Sequence, residues 1–287
     1  MKLRISAHTY GALLLACCAA GHVSAAEGQD ETSTPRKLEA AYSITFARVS
    51  VGAVTLNAEF RANEYAITAT GRVGGVMRLL LNGSAFLSAH GVVQEARPVP
   101  ASFTSKMESG NEIQYVSMVL DDGNVRELEV TPPNGADAIA EEERKGIIDP
   151  LSAMLVPSAG TGGPLSQEAC RRTLAVLDGR HRYDLKLAFK RMDELSADQG
   201  YKGPVVVCAL TYVPIAGHGS GAPLVKYLSE GREMEVALAP VSGIPVLAPV
   251  RLFVGSWVAN LVMTTTRFEA SVPSNLRRPG PPEQAPK

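Results

Sequence analysis

The chain of 287 residues has few aromatic residues, no excess charge of either sign and no long apolar run beyond its first 25 residues. One Trp, eight Tyr and seven Phe are too few for the stacking surfaces that bind bases or sugars. The 28 Lys and Arg residues nearly balance the 29 Asp and Glu residues, which argues against a nucleic-acid partner. A membrane-spanning helix needs about 20 apolar residues, and none is expected in the mature chain.

The start of the chain has the pattern of a secretory signal peptide over residues 1–25. Lys2 and Arg4 supply the positive region, an apolar core follows, and Ala25 ends an A-x-A-like cleavage site. The residues before Cys17 also resemble the lipidation site of a bacterial lipoprotein. We therefore expect a periplasmic protein exported by its signal peptide, with a lipoprotein attached through Cys17 as the alternative.

Cysteine is also scarce after the signal segment, where only Cys170 and Cys208 occur. The chain has no C-x-x-C motif, and its mature part has three histidines, so the spacing does not favour a zinc site. An exported protein with two cysteines is expected to join them. The sequence therefore predicts a Cys170–Cys208 disulfide, with two separately buried thiols as the alternative, and it predicts no metal or cofactor.

Alternation of apolar and polar residues dominates the chain from Leu38 onward. Tyr42, Ile44 and Phe46 alternate with polar residues, and similar segments recur about every ten residues. We expect turns between them, including Val51-Gly52, Ala62-Asn63, Asp121–Asn124 and Asp178–Arg180. This pattern predicts a mainly β protein whose curved antiparallel sheet forms an open or half barrel, with one or two short helices as plug or lid.

The domain organisation expected from composition is simple. A disordered N-terminal segment at 26–37 follows the signal peptide, a single β-rich domain occupies 38–272, and a disordered Pro-rich tail occupies 273–287.

One helix is predicted inside this domain. Asp149 is its expected N-cap, and Pro150 stands at its first position. Leu151, Met154 and Leu155 share one face, and the helix is expected to run to Val156. These three residues are predicted to form a plug against the curved sheet.

A second apolar connector follows Gly74 and lies between two predicted strands. Its Val76, Met77, Leu79 and Leu80 stand where a polar turn is usual. Such a connector either packs on the end of the sheet or forms a candidate ligand lid over a cavity.

No set of residues with a catalytic pattern emerges. The Gly-rich segment 217–222 formally fits a dinucleotide fingerprint, but a wide surface turn is expected there because a strand-rich pattern follows Pro223. His218 could form an acid–base group with Tyr212 and Asp178, although structural hydrogen bonding by His218 and turn capping by Asp178 are favoured. We therefore do not expect an enzyme.

Four motifs occur in order along the chain: Ala41–Ile44 with Gly52 following, 148–153, Cys170–Leu185 and Cys208–His218. Together they resemble the exported bacterial family called domain of unknown function 3108, over about residues 38–270. The resemblance implies a periplasmic or envelope location. It also implies a β half-barrel similar to periplasmic lipoprotein carriers and lipoprotein-insertion factors.

Two functions are compatible with this sequence. The first is a non-catalytic carrier or binder of an amphiphilic, lipid-like ligand. The alternative is a structural or scaffolding factor of the cell envelope, whose partners are other envelope proteins and whose barrel is filled by its own side chains. An apolar cavity of a few hundred Å³ would distinguish the first function from the second.

Overall fold

The fold was obtained as a computed structural model, and the residues it describes belong to the unit Thr32–Lys287. The described ranges are 35–75, 83–133, 138–158, 165–196, 200–219, 223–229, 232–255 and 259–271.

Most of these residues lie in β-strands. The strands are β1 (Arg36–Phe46), β2 (Val49–Arg61), β3 (Glu64–Val73), β4 (Gly83–Gln94), β5 (Arg97–Ser109), β6 (Glu112–Asp121), β7 (Asn124–Thr131), β8 (Val156–Pro157), β9 (Arg172–Leu177), β10 (Arg182–Ser196), β11 (Lys202–Ala216), β12 (Met234–Pro240), β13 (Val246–Val254) and β14 (Leu261–Ser271). One short α-helix, α1 (Pro223–Ser229), and 3-10 helices at Glu142–Arg144, Ser152–Met154 and Gln167–Cys170 complete the described elements. The prediction of a mainly β fold with few helices is confirmed.

All the strands belong to one antiparallel sheet that does not close on itself. The strand order is β7-β6-β5-β4-β3-β2-β1-β14-β13-β12-β11-β10-β9, and β8 pairs with β13. The pairing of β1 with β14 joins two runs of neighbouring strands into one sheet. We call β1–β7 the N-half and β9–β13 the C-half.

The two ends of the sheet meet at one irregular segment. Ile147 N donates to the Gly123 carbonyl in the β6–β7 turn at 2.8 Å, and Ile148 N donates to the Ala175 carbonyl in β9 at 2.9 Å. Because one short segment contacts both ends, the sheet must curve to bring them together. The curved, open architecture expected from the tall strands is confirmed.

The N-half encloses the larger core. Its inward side chains include Tyr42, Ile67, Phe103 and Met118, each at most 2% exposed. The segment at 139–155 covers them from the inside. Polar residues on the same strands point outward, as the alternation predicts.

The inner strands of the C-half, β11 to β13, bury residues on both faces. Val206 and Cys208 belong to one cluster, while Val205 and Val207 on the opposite face belong to another. The Cys170–Cys208 disulfide lies in the first cluster, with a Cα–Cα distance of 5.4 Å and both residues fully buried. The predicted disulfide is present in the structure.

Three local expectations differ from the structure. The predicted helix at 149–156 is a single 3-10 turn at Ser152–Met154, because Val156 already pairs with Leu247 as part of β8. The first hairpin turns at Ala47 and Arg48, both with positive φ, so Gly52 lies inside β2. The helix α1 begins directly after the Gly-rich segment, where a strand-rich pattern was expected.

Candidate functional site

A cleft of about 340 Å³ lies where the two ends of the sheet meet. Its walls come from the start of β5, the β6–β7 turn, the 146–148 segment, β8 and β9. Apolar side chains dominate the lining, including Val99, Ile148, Leu155 and Leu174. Leu155 belongs to the N-half core, and Leu174 packs on the disulfide cluster, so the cleft opens between the two cores.

Arg172 is the charged residue that enters this apolar lining from β9. It is half-buried, and its Nε atom is buried without a hydrogen-bond partner in the described structure. One of its terminal nitrogens, Nη2, donates a long bond of 3.4 Å to the Glu168 carbonyl. Burial lowers the pKa of the Arg172 guanidinium. Burying part of a positive charge without a full set of hydrogen-bond partners is unfavourable, and a bound anion would offset that cost.

The neighbouring residue Arg171 differs from Arg172 in both exposure and pairing. It is exposed, and its Nη1 forms an ion pair of 2.9 Å with Glu168. Arg171, which ends the 3-10 helix before β9, therefore lies in solvent with a carboxylate partner, and Arg172, the first residue of β9, lines the cleft.

Two further charges stand at the rim of the cleft. Arg97 lines it from the start of β5, and Asp122 lines it from the β6–β7 turn; both are exposed. Arg97 adds to the positive charge around Arg172, and the Asp122 carboxylate opposes it. Because both rim residues lie in solvent, their charges are screened more than that of Arg172.

A second groove, with a volume of about 720 Å³, shares Arg97, Val99, Pro100 and Asp122 with the cleft. Its lining carries charges of both signs, including Arg61, Glu59 and Glu64. Glu59 is already paired with Lys37. Unlike the cleft around Arg172, this groove therefore does not combine a mainly apolar lining with a partly buried charge that lacks a partner.

His218, for which structural hydrogen bonding was favoured over acid–base chemistry, lies in an aromatic cluster. The His218 Nε2–H faces the Arg182 carbonyl at 3.1 Å, and Nε2 lies 3.4 Å from the Tyr212 hydroxyl. The His218 ring stacks on His181, with centroids 5.1 Å apart. Burial lowers the pKa of His218, and the neighbouring His181 lowers it further. His181 is the member of this cluster that the sequence analysis did not assign to a site.

Asp178 caps the β9–β10 turn, as the sequence predicts. Its Oδ1 accepts hydrogen bonds from the backbone N–H groups of Arg180 and His181 at 2.8 and 2.7 Å. Its Oδ2 lies 3.0 Å from His181 Nδ1. Because the carboxylate is occupied by turn capping and His181, the cluster is built around fixing a hairpin.

Of the predicted plug residues, Leu151 and Leu155 are buried in the N-half core, and Met154 packs against it half-buried. Beside them, Asp149 is fully buried and accepts hydrogen bonds from Leu151 N and Ser152 N through Oδ1. The Ser152 hydroxyl lies 2.7 Å from the Tyr65 hydroxyl. The polar turn is thereby fixed inside an otherwise apolar core.

The predicted lid lies outside the described residues. Val76, Met77, Leu79 and Leu80 all belong to the segment 76–82, so their role stays a prediction. Within the described ranges, no group of three or more His, Cys, Asp or Glu residues could hold a metal ion, and no helix is long and apolar enough to cross a membrane.

Comparison with known proteins identifies a family. No curated protein matches the chain. A crystal structure described as a beta-barrel-like protein of domain of unknown function DUF1849 from Brucella abortus is similar, at 11% identity and a TM-score of 0.46, over 82% of this chain and 97% of that one. The family described as "Protein of unknown function (DUF3108)" matches residues 41–264, most of the chain. The chain therefore belongs to the DUF3108 family.

Proposed function

We propose that this protein is a non-catalytic binder of an anionic amphiphile, held in the cleft between β5 and β9. The observation that carries the proposal is Arg172, whose buried Nε has no partner in the described structure beside apolar walls. An acyl chain would contact Val99, Ile148 and Leu174, while its acidic group would accept a hydrogen bond from the guanidinium.

The size of the cleft restricts the ligand. A volume of about 340 Å³ lies at the small end of ligand pockets, which span about 300–1,000 Å³. It accommodates one short acyl chain with its head group and is too small for a whole two-chain lipid. The ligand class is therefore a single-chain amphiphile or one chain of a larger lipid.

The proposal includes a periplasmic address. It is supported by the signal-like pattern of residues 1–25 and by the buried Cys170–Cys208 disulfide, which is compatible with an exported protein. In that compartment, binding in the cleft would remove the apolar chain of such an amphiphile from water, which is favourable.

The test uses the purified protein and a fluorescent fatty acid, with the methyl ester of the same probe as an uncharged control. We expect Arg172→Met to weaken binding of the acid by about 10- to 100-fold, because a hydrogen bond to a charged group contributes about 1.5–3 kcal/mol. Binding of the ester should change little, because methionine keeps the apolar volume.

The matched control is Arg171→Met, which removes the same charge from the adjacent residue outside the cleft. It should leave binding of both probes unchanged. Equal losses with Arg171→Met and Arg172→Met would show a non-specific charge effect and contradict the proposal. Failure of the native protein to bind either probe would contradict it outright.

The scaffolding function is the second candidate, favoured by the filled interior of the N-half. Tyr42 and Phe103 are among the largest fully buried side chains, and they occupy the space that a carrier barrel leaves for its cargo. Native mass spectrometry of the protein purified from the periplasm separates the two functions. A co-purifying single-chain amphiphile supports the carrier, whereas ligand-free protein that also fails to bind the fatty acid supports the scaffold.

A further inference from the structure

The strand β10 extends well beyond its neighbour β9. Strand β9 pairs with β10 from Arg182 to Leu187, whereas β11 pairs with β10 as far as Ser196. Residues 188–196 therefore have no strand partner on their outer side among the described strands. At about 3.3 Å per residue, this edge is about 30 Å long.

Two large apolar side chains are exposed on this stretch. Phe189 is 39% exposed and Met192 is 48% exposed. An exposed edge with unpaired backbone groups is a template for another strand. Charged residues often protect such edges, and the charges on this edge have an ordered arrangement.

The charges are arranged symmetrically about Met192. Lys190 and Arg191 precede it, and Asp193 and Glu194 follow it. A second copy of the same strand, running antiparallel and centred on Met192, would place the partner's acidic half beside the basic half. A parallel copy in register would place like charges opposite each other. The charge pattern therefore fits a second copy in the antiparallel orientation only.

The basic side chains of this edge already have partners on the inner side of β10, where Lys190 Nζ contacts Glu233 Oε1 at 2.6 Å. The proposed pairing adds a contact with the second copy to those that Arg191 already makes. Arg191 and Asp193 share one face of β10, and Arg191 Nε lies 3.2 Å from Asp193 Oδ2. Arg191 Nη1 also contacts Glu235 Oε2 of β12 at 2.8 Å, which holds the guanidinium on that face. In an antiparallel pair, directly opposed residues lie on the same face, so Arg191 would oppose the second copy's Asp193. The Arg191 and Asp193 side chains of both copies, with Glu235 of each copy beside them, would then form one charged cluster.

We propose that the outer edge of β10, at residues 188–196, is a dimerisation surface that pairs with the same edge of a second copy of this chain. The interface is isologous, as twofold dimers require, and it extends the sheet across two molecules. A β-bulge in β10 lies between Phe189 and Arg191, so the regular part of the proposed pair is the three positions centred on Met192. The proposal does not depend on a ligand in the cleft.

The first experiment measures the mass of the protein in solution by sedimentation over a wide range of concentration. The native chain should show a monomer–dimer equilibrium. Arg191→Asp and Asp193→Arg should each weaken dimerisation by about tenfold, because each symmetric interface loses two ion pairs and gains like charges. The exchange variant carrying both substitutions should restore the dimer, because it keeps the charges complementary.

Arg191 also contacts Glu235, so the thermal midpoint of each variant is measured alongside its mass. The exchange variant keeps the result interpretable: weak dimerisation by both single variants and recovery in the exchange variant cannot come from unfolding. An exchange variant no better than the single ones would overturn the proposal, as would a native chain that stays monomeric at every concentration.

The second experiment tests the register by cross-linking. Met192 lies on the proposed twofold axis, where opposed Cα atoms are about 4.5–5.5 Å apart, within the range of a disulfide. Met192→Cys should therefore form a covalent dimer under mild oxidation. The control is Ile113→Cys on β6, which is 56% exposed and lies outside the surface. Equal rates for the two variants would contradict this register.

Discussion

The two halves of the sheet bury their strands differently. In β6 of the N-half, Val116 and Met118 are buried, whereas Val119 is 41% exposed. In β11 of the C-half, four consecutive residues from Val205 to Cys208 are at most 2% exposed. The N-half is packed on one face only, whereas the inner strands of the C-half, β11 to β13, are packed on both. The disulfide and the β9 wall of the cleft belong to the C-half, and the cleft lies where the one-sided packing meets the two-sided packing.

This difference explains why a single rule did not describe the whole chain. One buried face produces alternation, because side chains of a strand point to opposite sides. Two buried faces produce a continuous apolar run, since every residue then lies in a core. Tyr201 and Phe268 help cover the second face of the C-half, and their rings meet at an angle of 85°.

The largest expected effect on stability comes from placing a carboxylate on each of the two faces of β11. Val206→Asp and Val207→Asp should each destabilise the protein by about 3–5 kcal/mol, because both bury an unpaired carboxylate. In the N-half, Val116→Asp should do the same, but Val119→Asp should cost less than about 1 kcal/mol. Urea unfolding followed by circular dichroism measures all four. A tolerated aspartate at either 206 or 207 would show that one face of the C-half is open.

The disulfide should contribute almost as much to the C-half. Its loop spans 38 residues, for which the chain-entropy model gives about 4 kcal/mol. Reduction should therefore lower the urea midpoint of the native protein. The Cys170→Ala/Cys208→Ala variant is the control, since its midpoint should not respond to the reductant. An equal response by the two proteins would show that the bond contributes nothing.

A smaller, pH-dependent effect is expected from Asp149, inside the N-half core. Burial raises its pKa to about 6 from an ordinary value of 3.8. The folded state then binds the proton more tightly than the unfolded chain, so this group makes the protein more stable as the pH falls from about 6 to about 4. Over this pH range, the free energy of unfolding of the native protein should rise by about 3 kcal/mol relative to that of Asp149→Asn. The asparagine is a suitable reference because its side-chain oxygen still accepts the turn hydrogen bonds.

The measurement is the free energy of unfolding of the two proteins across this pH range. Asp122→Asn is the control, because it makes the same substitution at an exposed position outside the N-half core. A native protein that loses stability relative to Asp149→Asn on acidification would show that Asp149 is charged and stabilising in the fold.

Local patterns predicted part of this structure and failed at identifiable places. The Asp178 turn was predictable because an aspartate side chain caps its own backbone within three residues. The turn at Ala47 and Arg48 carries no such signal, because neither residue favours the positive φ that it adopts. The helix expected after Asp149 is a single 3-10 turn because pairing of Val156 with β13 takes the chain into a strand.

The candidate site also could not be predicted from local sequence patterns. Arg172 is the first residue of the strand and Arg171 directly precedes it, and no local pattern indicates which of the two side chains enters a cleft. The surroundings of Arg172 come from Ile148 and Val99, which are distant in sequence and reach the cleft through the curvature of the sheet. No local rule could therefore assign it a binding role.

The sequence by itself determined the β-rich character, the pairing of Cys170 with Cys208 and the family, because these depend on local periodicity, residue counts and ordered motifs. The tertiary structure decided which face each strand buries, where the ends of the sheet meet, and which arginine enters the cleft. It also decided which part of β10 has no outer partner among the described strands. These features arise from contacts between residues far apart in the chain. A local sequence pattern does not indicate which distant segment will pack against a given strand.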